Sequence, residues 1–208
     1  MARRVTFTDW RGSLLVYAVI WLTPVYLAWV FTGSAAPWLL APFIYLVMMA
    51  QHKLHRARGL TTAARYERID AARESRWFAG LLAAAYTYLA AVAAAAGALG
   101  VNTVGLLLAA ATAALIMLYS GPLHREWWIG VTHWLGTVSA FATARPPTLP
   151  EALFAAGFSS LVWMLHKGLR IVTGDYGPVP VELRHMLEVF AAWGLAVALL
   201  LASIAAGV

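Results

Sequence analysis

The chain contains no cysteine in its 208 residues, which excludes disulfides, thiolate metal sites and cysteine nucleophiles. It also carries little charge. Charged residues make up 12% of the sequence, about half of the share found in soluble domains, whereas 62% of the residues are hydrophobic. Because a chain with a mean hydropathy of +0.73 cannot face water on all sides, we expect an integral membrane protein.

Apolar runs recur along the whole chain, and a helix needs roughly 20 such residues to cross a bilayer. The pattern predicts an all-α bundle of about seven transmembrane helices: Leu14–Phe31, Trp38–Ala50, Phe78–Leu99, Val101–Leu118, Trp128–Ala142, Ala152–Val172 and Met186–Ala206. Breaks are expected at Gly100 and Asn102 and at Arg145-Pro146-Pro147. We interpret residues 1–208 as a single transmembrane domain whose longest polar stretch, residues 51–77, is a cytoplasmic loop.

The distribution of basic residues predicts the orientation, because Lys and Arg are enriched in cytoplasmic loops. With the N-terminus inside and the C-terminus outside, every Lys and Arg except Arg145 is cytoplasmic: Arg3, Arg4, Arg11, Lys53, Arg56, Arg58, Arg65, Arg68, Arg73, Arg76, Arg125, Lys167, Arg170 and Arg184. The net charge of +6 is then explained by topology and by contact with anionic membrane lipids. We therefore expect a multi-pass plasma-membrane protein with no nucleic-acid partner.

Polar residues gather at the predicted cytoplasmic ends of the second, fourth and sixth spans. The three groups are Gln51-His52-Lys53-Leu54-His55-Arg56, Tyr119-Ser120-Gly121-Pro122-Leu123-His124-Arg125, and His166-Lys167-Gly168-Leu169-Arg170 followed by Gly174-Asp175-Tyr176. Together they predict a basic pocket for an anion such as a phosphate or diphosphate. The alternative interpretation is that these cations only anchor the topology. Glu67, Asp70 and Glu74 are predicted to lie on a solvated helix face, paired with nearby arginines.

The segment Leu115–Gly136, LIMLYSGPLHREWWIGVTHWLG, ends one helix with Tyr-Ser, passes through a basic stretch and opens the next helix with Trp-Ile-Gly. In this segment, and in its polar connections after the second and sixth spans, the chain resembles the intramembrane prenyltransferases of the UbiA superfamily. The resemblance covers most of the chain. It implies a prenyl or related lipid transferase that binds an isoprenoid or lipid substrate. The implied catalytic positions are His52, His55 and Asp175, and the implied substrate-binding positions are Gln51, Lys53, Arg56, Tyr119, Lys167 and Arg170.

The chain departs from that family at the metal site. Family members hold magnesium with an Asn-Asp-x-x-x-Asp type motif, and magnesium requires hard oxygen ligands. The equivalent position here holds histidine and lysine, and only Asp70, in another register, and Asp175 remain as metal ligands. The resemblance therefore implies the fold more than the activity, and the cations of the pocket would neutralise a diphosphate directly.

Two other functions are open at the level of sequence. His133 and His166 are predicted at similar depths on neighbouring antiparallel spans, an arrangement that suits a bis-histidine haem b in an electron-transfer subunit. The small residues of the third and fourth spans would also suit a non-catalytic assembly subunit, because such faces let helices pack closely. In that case a partner membrane protein or a second copy of the chain would complete the bundle.

Overall fold

The computed structural model describes residues 10–60, 68–123 and 126–172, without the side chains of residues 10–20, 126, 163 and 165–172. Every regular element in these ranges is helical. The elements are α1 (Trp10–Thr32), a 3-10 turn (Ala36–Leu40), α2 (Ala41–Ala57), α3 (Ala71–Ala94), α4 (Ala96–Leu99), α5 (Thr103–Tyr119), α6 (Glu126–Ala144) and α7 (Leu149–Val172). The all-α prediction is confirmed, and the first six expected spans fall on these helical segments. The seventh, Met186–Ala206, lies outside the described residues.

Local sequence signals explain where the helices break. Gly100 follows α4 with φ 64°, a left-handed conformation that only glycine adopts without strain. The Asn102 side chain then accepts a hydrogen bond from the Val104 N–H at 3.0 Å and so caps α5. The next expected break is also present, because α6 ends at Ala144 immediately before Arg145-Pro146-Pro147.

The polar stretch 51–77 contains less loop than expected. Helix α2 continues to Ala57, and α3 begins at Ala71. Asp70 caps the N-terminus of α3, where its carboxylate accepts the Arg73 N–H at 3.0 Å. Asp70 therefore precedes α3, and it does not share a helix face with Glu74 as the sequence spacing suggested.

Helix α6 lies at the centre of the packing and contacts α1, α5 and α7, while α2 and α3 form an antiparallel pair. The main hydrophobic core takes residues from α1, α2, α3, α5 and α6, including Phe43 and Phe141, which are 2% and 0% exposed. A second cluster of Leu27, Phe158 and Val162 joins α1 to α7. The described helices thus share one connected interior.

The backbones of α5 and α6 approach closely at Gly105. A Cβ atom added to Gly105 would lie 2.5 Å from the Ala142 carbonyl carbon and 2.6 Å from Thr143 Cα, so no side chain fits there. Close contact continues along the pair, where the Thr112 and Ser139 hydroxyls lie 3.3 Å apart. Small residues allow this packing in an apolar environment.

An ion pair closes the connection between α6 and α7. The Glu151 carboxylate accepts hydrogen bonds from Arg145 Nη1 at 2.9 Å and Nη2 at 2.6 Å, and from the Thr148 N–H at 2.7 Å. The hydrogen bonds from Arg145, together with those from Thr148, hold the pKa of Glu151 below its usual value. Arg145 is the one basic residue predicted on the external side, and among the described side chains this contact lies at the end of the bundle opposite Lys53, Arg56 and Arg58.

Helix α3 is long and apolar enough to cross a membrane, with a mean hydropathy of 1.6 over its most apolar window. It is the one described helix to meet that criterion. Three shorter apolar helical stretches cover Trp21–Thr32, Thr103–Tyr119 and Leu149–Val162. Only 17% of the apolar window of α3 is buried inside the protein, so most of its apolar surface faces outwards.

We predict that Gly105→Ala lowers the stability of the protein by about 2 kcal/mol or more, because the new methyl group must separate α5 from α6. Gly97→Ala is the matched control, since nothing lies within 4 Å of a Cβ added there. Thermal unfolding in detergent measures both variants. Equal midpoints for the two would contradict the close approach.

We predict that acid weakens the α6–α7 connection. Because the pKa of Glu151 is lowered in the folded protein, its stabilising contribution is present above the ordinary glutamate pKa and is lost as the pH falls through the lowered value. Unfolding midpoints measured from neutral pH to below pH ~4 should therefore fall less steeply for Glu151→Gln than for the parent protein. Parallel curves would show that the pair contributes nothing.

Candidate functional site

The carboxyl ends of α2 and α5 meet the first turn of α3 at one end of the bundle. The Arg58 guanidinium, just past the end of α2, donates a hydrogen bond to the Ser120 carbonyl at the end of α5. A cation suits this place, because the last carbonyls of a helix carry partial negative charge. We call the polar residues assembled here, from Gln51 to Arg58 with Glu74, Tyr119 and Ser120, the polar cluster.

His55 is the buried centre of the polar cluster. Its Nδ1 atom lies 2.7 Å from Gln51 Nε2 and 2.6 Å from Ser120 Oγ, and its ring stacks on Tyr119 at a centroid distance of 4.9 Å. With the Gln51 amide donating, Nδ1 is an acceptor and the neutral ring carries its proton on Nε2. Because Ser120 is 0% exposed, this contact joins α2 to α5 and does not present a nucleophile.

Glu74, in the first turn of α3, pairs with two cations of α2. Its carboxylate lies 3.0 Å from Lys53 Nζ and 3.4 Å from Arg56 Nε. The carboxylate side chain is 11% exposed, and the two basic side chains keep 24% and 23% exposure. Two of the four cations predicted to bind an anion, Lys53 and Arg56, therefore already contact one from the protein itself.

His52 adds no positive charge to the polar cluster at neutral pH. Its side chain reaches the surface, but the pKa of its imidazole is lowered. The largest cause is desolvation by the surrounding protein, and the nearby charges of Arg56 and Lys53 lower the pKa further. A neutral imidazole is the expected form. The excess positive charge of the cluster thus comes from Lys53, Arg56 and Arg58 against Glu74, as far as the described side chains show.

An apolar cavity opens between α1, α2, α5 and α6, next to the polar cluster. Its volume is about 40 Å³. Most of its walls are aliphatic or aromatic, and its polar groups are Thr112, Thr132, His133 and Ser139, with the Trp21 indole. Such a lining suits hydrocarbon, and a cavity of this volume would hold only part of a lipid chain.

The structure brings together part of the predicted site. Gln51, His52, Lys53, His55, Arg56 and Tyr119 all belong to the polar cluster. Lys167 and Arg170 lie on α7, but their side chains are not described, and Asp175 lies outside the described residues. Asp70 caps α3 in an exposed position, and no group of three potential metal ligands occurs among the residues searched, which are those the structure describes.

The backbone of α7 does not bring His166 to the depth of His133. The His133 ring is 1% exposed and lies against Trp21 and Phe158, at centroid distances of 5.6 Å and 5.7 Å. Phe158 is therefore the α7 residue that faces His133. His166 follows eight residues later, about 12 Å further along the helix axis. This placement does not favour a haem held by the two histidines.

Sequence reasoning missed the role of Glu74. It was assigned to a solvated face with nearby arginines, whereas it is buried against α2. Arg58 is absent from the predicted site, and Ser120, although part of the predicted basic pocket, had no role assigned to it. Their positions were the available signal. Arg58 and Ser120 lie at the ends of α2 and α5, Glu74 lies in the first turn of α3, and the ends of neighbouring helices meet at the predicted site.

Comparison with protein-family models, with characterised proteins and with solved structures finds no match to this chain.

We predict that Ser120→Ala destabilises the protein by about 1 kcal/mol or more, because a buried hydrogen bond between α2 and α5 is lost. Ser160→Ala is the control, since Ser160 is exposed and bonds only to the Ala156 carbonyl of its own helix. Chemical unfolding of both variants in detergent measures the difference. A Ser120 variant as stable as the Ser160 variant would contradict this role.

Proposed function

We propose that the protein is a multi-pass plasma-membrane protein that binds an isoprenoid or related lipid with an anionic head group on the cytoplasmic side. One observation carries the proposal: the apolar cavity and the polar cluster are built on the same two helices. An amphipathic ligand needs both environments side by side. Part of the tail would enter the cavity, and the head would lie at the polar cluster.

The continuity of the two environments is visible along α2 and α5. On α2, Phe43, Val47 and Met48 line the cavity, and the polar cluster begins three residues later. On α5, the lining ends at Ile116, four residues before Ser120, which is about 6 Å of helix rise. A lipid lying along these helices would therefore pass from hydrocarbon lining to charged groups within about two helical turns.

Membrane insertion is supported by where the apolar surface lies. A long apolar helix in the core of a soluble protein is mostly buried, but α3 is mostly exposed. Large apolar side chains are also exposed on other helices, including Trp29, Leu107, Trp127 and Leu153. Exposed apolar surface of this extent favours contact with lipid.

The charges support an anionic head group on the cytoplasmic side. Lys53, Arg56 and Arg58 lie at one end of the bundle, and the Arg145–Glu151 pair lies at the other. This distribution agrees with the positive-inside rule when the polar cluster is cytoplasmic. Guanidinium and ammonium groups at that depth are suited to phosphate oxygens.

Binding, and not turnover, is the centre of the proposal. The resemblance to UbiA prenyltransferases implies prenyl or related lipid transfer, a reaction that magnesium assists by stabilising the departing diphosphate. In the polar cluster, the one described carboxylate near Lys53 and Arg56 is that of Glu74, and it already forms ion pairs with both cations. A prenyl diphosphate would therefore be held mainly by the cations, with a slow or absent chemical step.

We predict that Gly136→Leu lowers the affinity for farnesyl diphosphate by about tenfold or more, because the new side chain fills the cavity where the tail would lie. Nothing lies within 4 Å of a Cβ added to Gly136, so the first carbon of the new side chain meets open space, and a thermal unfolding midpoint close to that of the parent would show that the fold accepts the rest. Gly157→Leu is the control, as it makes the same change at an exposed helical position outside the cavity. Native mass spectrometry or calorimetry in detergent measures binding.

Two results would contradict the proposal. The first is release of the native protein from its membrane by alkaline carbonate, which would remove the transmembrane assignment. The second is a parent protein that binds no prenyl diphosphate and retains no lipid through purification. Equal losses of affinity in the Gly136 and Gly157 variants would show that the tail does not bind in the cavity.

A further inference from the structure

We propose that Glu74 occupies the position of the ligand's head group in the empty site and so selects for head groups of high negative charge. This inference rests on the proposed function. Glu74 would be a specificity-determining residue: a lipid with a carboxylate head would be rejected, and a lipid with a phosphomonoester or diphosphate head would be accepted.

The geometry places Glu74 where an anionic oxygen would lie. Its two carboxylate oxygens each face a different cation, Lys53 at 3.0 Å and Arg56 at 3.4 Å. Those cations come from successive turns of α2, three residues apart, and so form one binding face. Both keep about a quarter of their side-chain surface accessible, so an external anion can reach them.

Competition with a tethered carboxylate explains the selectivity. Glu74 is attached to the same protein, so its effective concentration at the cations is in the mM range or higher. A lipid carboxylate would exchange one singly charged group for another and gain nothing. A diphosphate carries more charge and more acceptor oxygens, so it can displace Glu74 and engage both cations with a net gain.

A purely structural role for Glu74 leads to different expectations. An ion pair that only joins α3 to α2 should lower stability when it is removed, and it should leave ligand affinity unchanged or weaker. A resident anion should strengthen ligand binding when its charge is removed. The two roles therefore change affinity in opposite directions.

The experiment compares parent protein, Glu74→Gln and Asp70→Asn in detergent with a chelator present, using farnesyl diphosphate and palmitate as probes. Asp70→Asn is the matched control, because it removes a negative charge one turn away that contacts neither cation and leaves a side chain that still caps a helix. We expect Glu74→Gln to bind farnesyl diphosphate about five- to tenfold more tightly and to gain measurable palmitate binding. The parent and Asp70→Asn should bind farnesyl diphosphate equally and palmitate not at all.

Each other outcome counts against the inference. A folded Glu74→Gln protein with parental or weaker affinity for farnesyl diphosphate overturns it, as does a parent protein that binds both probes equally; the proposed lipid function survives both results. If no variant binds either probe, the proposed function fails and the inference fails with it. Should Glu74→Gln not fold, Glu74→Asp decides: its shorter side chain weakens the pair, so about twofold tighter binding is expected and unchanged binding refutes the inference.

Discussion

The backbone contact between α5 and α6 at Gly105 positions the rest of the molecule. Helix α6 contacts α1 and α7 as well, so the depth at which α5 lies against it determines where the carboxyl end of α5 emerges. That end holds Tyr119 and Ser120, which meet His55 of α2. The polar cluster therefore depends on a contact more than ten residues away, where one glycine lets two backbones approach.

At the same end of the bundle, polar groups at the ends of the helices bond to side chains of neighbouring helices. His55 bonds to Ser120 and lies on Tyr119, and Arg58 donates a hydrogen bond to the Ser120 carbonyl just past α5. Glu74, in the first turn of α3, is placed favourably both for the partial positive charge of that helix end and for the cations of α2. These contacts tie three helices together without filling the apolar cavity beside them.

The sequence predicted the helices well because each boundary has a local cause. Asn102 caps α5 and Gly100 ends α4 through signals that lie within a few residues. The relations between helices were predicted less well, because they depend on the rotation and stagger of packed surfaces. Glu74 was paired with arginines near it in sequence and is found against α2, and His133 lies against Phe158 of α7. Those contacts join different helices, and the sequence pattern within one helix does not predict them.

Under the proposed function, the histidine and lysine at the end of α2 would bind an anionic head group without the carboxylates of a metal-dependent prenyltransferase. A carboxylate site repels a diphosphate until magnesium bridges the two, so the metal is part of the binding site. Lys53, Arg56 and Arg58 attract the anion directly, and a neutral His52 leaves that balance unchanged. Without a ligand, however, adjacent cations would repel one another at the end of α2. A carboxylate from α3 relieves that repulsion, which is why Glu74 belongs with the site as well as with the fold.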